Sequence, residues 1–181
     1  MKRTLLLSTL LLSIFISCKK SKSAPSSPDY HLTATIDGKA QTFNWGSSAT
    51  MLTRQVTSTI LLGGLTDSTA STQINITWSV QSLTDVTFTT GIWSDTAIIK
   101  YQLAAEYMTS QIDQYMAGAQ LASAAAQAGA PLKDHFQLVI TYLDSASIKG
   151  TFSGDFYYHG DISGAKKTLT NGDFYLPLKK I

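Results

Sequence analysis

The sequence predicts an all-β protein: an antiparallel β-sandwich or partly open barrel, with a short Ala-rich helical or loop insertion around residues 109–129. Three observations predict it. Apolar side chains recur at every second position along most of the chain after Asp29, as half-buried strands require. The stretches between these runs are rich in Ser, Thr, Asp and Gly, the residues of tight turns. The alternation of strands with long helices that a βαβ fold needs is missing. At 181 residues the chain suits one domain preceded by a leader.

The leader comes first. Lys2 and Arg3 precede an almost wholly apolar run from Leu5 to Ile16, too short for an ordinary transmembrane helix at about 1.5 Å per residue across a core of about 30 Å. A basic start, a short apolar run and a small residue at the end describe a secretory signal peptide over residues 1–17. Its end, Phe15-Ile16-Ser17-Cys18, resembles a bacterial lipoprotein signal, with Phe15 where such signals usually carry Leu. That resemblance implies that Cys18 becomes the first mature residue and that its sulfur carries a diacylglycerol. By the same resemblance, Lys19 after the cysteine favours the outer membrane. Acyl chains contribute about 0.8 kcal/mol per buried methylene, so two or three of them hold a protein on a membrane. The polar segment 18–28 reads as a tether that cannot bury enough apolar area to order itself.

From residue 29 to 181 a single β domain is expected. Tyr30, Leu32, Ala34 and Ile36 fall on one face of the first strand, and Asp37-Gly38 supplies a hairpin turn. Phe43 and Trp45 share a face on the return. Ile60 and Leu62 follow, then Ile74, Ile76, Trp78 and Val80, then Ile99, Tyr101, Leu103, Ala105 and Tyr107, then Phe136, Leu138, Ile140 and Tyr142. Residues 109–129 break this rhythm, being rich in Ala and Gln and ended by Gly129 and Pro131; they read as a short helix or a loop. Ile148, Gly150, Phe152, Gly154, Phe156 and Tyr158 share one face of a long strand, where the two glycines mark a bend, a bulge or a close neighbour. Phe174, Leu176 and Leu178 form a closing strand after Asn171-Gly172, expected to end or lie at an edge at Pro177.

Three segments, Ala34-Thr35-Ile36-Asp37-Gly38-Lys39, Ile148-Lys149-Gly150-Thr151-Phe152-Ser153-Gly154 and Thr170-Asn171-Gly172-Asp173-Phe174, resemble a group of small uncharacterised lipoproteins of Gram-negative bacteria. The resemblance covers most of residues 30–178. It implies one lipid-attached all-β domain and carries no reaction, cofactor or catalytic residue with it.

Chemistry is harder to find. A lone cysteine, Cys18, excludes a disulfide framework and a multi-cysteine zinc site. Once Lys2 and Arg3 are set aside, the basic and acidic residues balance, and no basic cluster marks a nucleic-acid partner. Glu106 is the one glutamate, and most aspartates sit in turn sequences such as Asp95-Thr96 and Asp144-Ser145, so a pair of catalytic carboxylates is not expected. Asp155, Tyr157, His159 and Asp161 share one strand face, on which Asp155, His159 and Asp161 carry the oxygen and nitrogen ligands a metal takes, but Gly160 bends that geometry, and a solvated outer face running into a turn is the expectation. His31, His135 and His159 have no G-x-S-x-G serine to serve.

Aromatic residues remain. Trp78 belongs to the core by its period-two spacing. Trp45 and Trp93 lie near strand ends, and Tyr157 and Tyr175 alternate with inward residues, so these four are the candidate ligand-binding residues. The expectation is a lipid-anchored, non-catalytic binding or structural module of the cell envelope. It needs no metal or cofactor; its partners are the membrane and a glycan or an envelope protein. The alternatives are a carbohydrate-binding accessory lipoprotein and an envelope hydrolase with an unrecognised site.

Overall fold

The computed structural model describes residues 28–69, 72–81, 87–96 and 101–181. The expected signal peptide, most of the tether, Cys18 and Ile99 lie outside them. The chain turns back at Asp37-Gly38, whose φ of 48° and 79° suit the twist of a two-residue hairpin. That turn joins β1 (His31–Ile36) to β2 (Lys39–Thr42). Next come β3 (Trp45–Thr53), β4 (Thr57–Leu65) and β5 (Gln73–Gln81), paired in succession. The short β6 (Gly91–Ser94) precedes β7 (Tyr101–Met108) and β8 (Gln114–Gly118). A single helix, α1 (Ala119–Gln127), separates these from β9 (Gln137–Leu143), β10 (Ser147–Tyr158) and β11 (Lys166–Lys180).

The described strands form one sheet in the order β2-β1-β11-β3-β4-β5-β7-β8-β10-β9-β6, and β10 also pairs with β11. That last pairing closes a ring through β3, β4, β5, β7, β8, β10 and β11. The β1–β2 and β9–β6 pairs branch from it. All pairings are antiparallel except β3 with β11, where Leu178 faces Ala49. The sheet is thus mixed. No hairpin joins β3 and β11, so no tight turn dictates their relative sense.

The period-two residues fill the interior. Leu32, Ile60, Ile74, Ile76, Trp78, Leu103, Leu138, Ile140, Phe152, Phe156, Phe174 and Leu176 are buried in one cluster. Two predicted gaps prove to be close approaches. A Cβ on Gly150 would lie 2.1 Å from the Val139 carbonyl oxygen, and one on Gly154 would lie 2.7 Å from Phe136 Cα.

The structure corrects several local expectations. Asn171-Gly172 does not begin a new strand: β11 runs straight through it as a bulge, because Asn171, at φ 50°, is the extra residue against both β1 and β10. Nor does β11 end at Pro177. Its neighbour on that side changes from β1 to β3 there, so the missing N–H falls where no ladder bond is due. Phe43 and Trp45 do not share a face, since the chain leaves the strand at Asn44, which accepts the Leu32 N–H at 2.8 Å. Phe43 is buried and Trp45 exposed. Tyr30 does not join the buried side chains of β1 but folds over Tyr175.

The Ala-rich insertion is a strand and then a helix, for Gln114–Gly118 pairs with β7. Helix α1 has no side-chain N-cap and no acidic residue in its first turn, so packing of Ala119, Ala122 and Ala125 holds it. It ends as expected at Gly129 (φ 74°). The Ala130 N–H reaches back to the Ala125 carbonyl and the Gly129 N–H to Ala126, a Schellman motif.

Candidate functional site

Four aromatic residues were candidates, and the structure divides them. Trp93 is buried, against Trp78 at 4.4 Å and Tyr101 at 4.8 Å between ring centroids. Although it lies near the end of a strand, β9 pairs with β6 and turns its ring inward. Tyr157 is also buried, and so is Asp155. Asp155 shares the lining of a hollow with Lys133, Asp134 and His135 and pairs with Lys166. Trp45 and Tyr175 face outward, on different parts of the sheet.

Trp45 is 56% exposed, opposite Leu65. Beside it an open hollow of about 360 Å³ lies over Gly63, lined by Ser48, Thr50, Leu61, Asn75 and Thr77. The outward register neighbours of Trp45 across the sheet are Leu65 and Gln73, so no second ring extends this surface.

Tyr175 belongs to a row. Cross-strand pairing puts His31, Tyr175, Lys149 and Tyr142 side by side on the outer face of β1, β11, β10 and β9. Directly opposed residues share a face, and their strand neighbours Leu32, Phe174 and Ile148 are buried. Tyr30 packs on Tyr175 with ring centroids 5.0 Å apart. The sequence periodicity assigned Tyr142 to the core with Ile140. Its register corrects this: Tyr142 faces Lys149 while Ile140 faces Gly150, so Thr141 is an extra residue. That bulge inverts the alternation and leaves Tyr142 46% exposed.

The row is held from both ends. The Tyr142 hydroxyl donates to Asp144 Oδ2 at 2.6 Å, and Asp144 Oδ1 accepts the N–H groups of Ala146 (2.8 Å) and Ser147 (2.7 Å). These bonds, the Tyr142 one foremost, hold the Asp144 carboxyl down to about 2. Below its ordinary value, such a carboxylate contributes stability that is full above about pH 4 and lost as pH falls through about 2. Asp144→Asn is therefore expected to melt at a lower temperature than the parent at neutral pH. The gap should narrow as both are acidified from pH 4 towards about pH 2, as followed by circular dichroism. At the other end, His31 Nδ1 meets the Asp29 carbonyl at 2.9 Å and Nε2 meets Asp173 Oδ2 at 2.6 Å. With an acceptor at each nitrogen, the imidazolium is favoured, and the pKa rises above 6.5, the Asp29 carbonyl contributing most. Lys149, exposed between two tyrosines, has no ion pair among the described residues.

One constellation had no sequence signal. Asp95, read as a turn residue, is 1% exposed. Its Oδ1 meets His135 Nδ1 at 2.7 Å, and its Oδ2 accepts the Phe136 N–H at 2.9 Å. A carboxylate can only accept, so His135 Nδ1 carries a proton directed at Asp95. His135 stands between two open hollows. One, of about 500 Å³, lies between α1 and Pro131-Leu132. The other, of about 340 Å³, includes Asp155 and Thr168. Asp155, weighed as a metal ligand, instead pairs with Lys166 and accepts from Thr168 Oγ1 at 2.6 Å. His159, at φ 49°, lies in the turn after β10, and Asp161 is bonded to Ser163, so the three do not assemble. Among the described residues no group of three His, Cys, Asp or Glu side chains could hold a metal ion.

Compared with protein families, curated proteins and solved structures, the chain matches none. The residues alone carry the functional reading.

Proposed function

We propose that the chain is a lipid-anchored, non-catalytic binding module of the cell envelope, attached through Cys18 and binding its ligand on the outer face of β1, β11, β10 and β9. One observation carries the reading: Tyr175, Lys149 and Tyr142 stand side by side on a sheet face, with Tyr30 packed on Tyr175. Tyrosine offers an apolar ring and a polar tip at low entropic cost, which suits an exposed binding surface. The leader sequence supports the envelope location, and the resemblance to small lipoproteins agrees with it.

The anchor and the surface are tested separately. Radiolabelled palmitate is expected to enter the full chain and not its Cys18→Ser variant; label that survives the substitution refutes the anchor. The full chain in detergent is expected to bind at least one member of a panel of immobilised envelope polysaccharides and glycoproteins. Tyr175→Ala should weaken that binding about tenfold, the scale of one aromatic contact. Binding that ignores Tyr175 and Tyr142 removes this surface from consideration.

A second reading, an envelope hydrolase, is favoured by the Asp95–His135 pair alone. A buried carboxylate on Nδ1 orients an imidazole as a general base. Ester or glycan turnover by the full chain, abolished by His135→Ala, would establish it.

A further inference from the structure

We infer that Tyr30 is a strap that closes over Tyr175 while His31 is protonated and swings away when His31 loses its proton. This rests, for its use, on the reading of the tyrosine face as the ligand surface, and adds how access to that face is regulated. Tyr175 is half-buried because the Tyr30 ring packs on it, with centroids 5.0 Å apart. A ligand that reaches the Tyr175 ring therefore displaces Tyr30. Residues 28–30 precede β1 and have no strand partner. The Tyr30 N–H bonds inside the segment, to the Pro28 carbonyl at 2.8 Å. Among the described residues, one hydrogen bond ties the segment down: His31 Nδ1–H donates to the Asp29 carbonyl at 2.9 Å. The other side of the same ring is pinned to β11, where Nε2–H donates to Asp173 Oδ2 at 2.6 Å.

The ring thus serves two acceptors at once, and only the imidazolium has two N–H donors. On losing a proton it keeps one. The Asp173 carboxylate is the stronger acceptor and retains it. Nδ1 then turns a lone pair on the Asp29 carbonyl oxygen, so attraction becomes repulsion and the strap loses its tie. Contact between the two tyrosine rings is all that remains. The charges facing His31 set where this happens. Asp173 on β11 and the Asp29 carboxylate favour the imidazolium, while Lys149, one strand beyond Tyr175, opposes it from farther off. On the β2 side stands the uncharged Asn44, whose Oδ1 accepts the Leu32 N–H. The closed strap is therefore fully held below the ordinary histidine value and released as pH rises through the raised one, above 6.5.

The test uses the full chain in detergent, carbon-13 labelled in the tyrosine and histidine rings, followed by NMR from about pH 5 to about pH 9, below the range of an ordinary phenol. The nuclear Overhauser effect between the Tyr30 and Tyr175 rings is expected at the acid end and should fade in step with the His31 titration, with its midpoint above 6.5. The ratio of open to closed strap should rise at least about tenfold, the scale of one hydrogen bond to a charged group. Asp173→Asn should move both midpoints together to lower pH. His31→Ala, which has no donor, should leave the strap open throughout, with the core intact by an unchanged near-ultraviolet spectrum. A ring contact that persists to the alkaline end, that fades at a midpoint unrelated to His31, or that survives in His31→Ala overturns the inference. Panel ligands held by Tyr175 should bind the parent more tightly as pH rises, and Tyr30→Ala should abolish that dependence; binding that ignores pH while the strap opens overturns the regulatory role. The surface reading fails separately, if panel ligands bind without Tyr175 and Tyr142 while the strap, observed with no ligand present, still opens.

Discussion

Gly150→Ala is expected to destabilise the protein by about 3 kcal/mol or more, among the larger costs of overpacking a core. The new methyl would lie 2.1 Å from the Val139 carbonyl oxygen and 2.8 Å from Phe174 Cζ. The ring has little freedom to retreat, because Phe174 is fully buried in a close-packed interior. The carbonyl cannot retreat either without parting β9 from β10, since Val139 faces Thr151 beside the Gly150–Ile140 pair. Gly129→Ala is the control. Its φ of 74° also strains an alanine, yet nothing lies within 4 Å of the added Cβ, so the cost should stay near 1 kcal/mol. Urea unfolding of both variants measures the difference. A Gly150→Ala variant within about 1 kcal/mol of its parent would mean that the strands are not in contact as described.

How much of this was legible beforehand depends on the range of the interaction. Gly150 stood out because it interrupts a run of inward apolar residues, between Ile148 and Phe152, and a gap on an inner face has few causes. Strand faces were legible wherever the alternation was regular, as in Ile74, Ile76, Trp78 and Val80. They failed at bulges. Thr141 inverts the alternation and turns Tyr142 outward, and Asn171 carries β11 through what looked like a boundary. A bulge is defined by the partner strand, which sequence periodicity does not contain. Trp45 was found as an exposed aromatic, and Tyr175 as one that faces outward though half-buried. The row around Tyr175 was not, since its members lie on four strands and meet only through register. Tyr157 and Asp155 alternate like exposed residues and are nevertheless buried; Asp155 is held there by Lys166 and Thr168, partners on β11 that periodicity along β10 does not contain.

Asp95 is the strongest case of a long-range pairing, and it sets the second large effect. Asp95→Ala is expected to cost about 2–4 kcal/mol, as it leaves two donors unpaired, the Phe136 N–H and His135 Nδ1–H, at about 1–3 kcal/mol each. The Phe136 N–H to Asp95 bond is buried and carries the larger share. The His135 side chain is about a third exposed, so water recovers part of the loss there. Asp95→Asn should cost less, because its amide oxygen can still accept from Phe136. These bonds continue the β6–β9 ladder beyond Ser94–Gln137, with the Asp95 N–H donating to the Phe136 carbonyl at 3.1 Å. Their loss is therefore expected to loosen β6 first and wet Trp93, seen as a red shift in tryptophan fluorescence before global unfolding. If the pair is a fastening alone, Asp95→Ala and His135→Ala should show a stability coupling of about 0.5–3 kcal/mol and leave ligand binding at the tyrosine row unchanged. Catalytic turnover lost in both variants at temperatures where both remain folded would instead assign the pair to chemistry, because a fastening has no reason to fail while the strand it fastens is still in place.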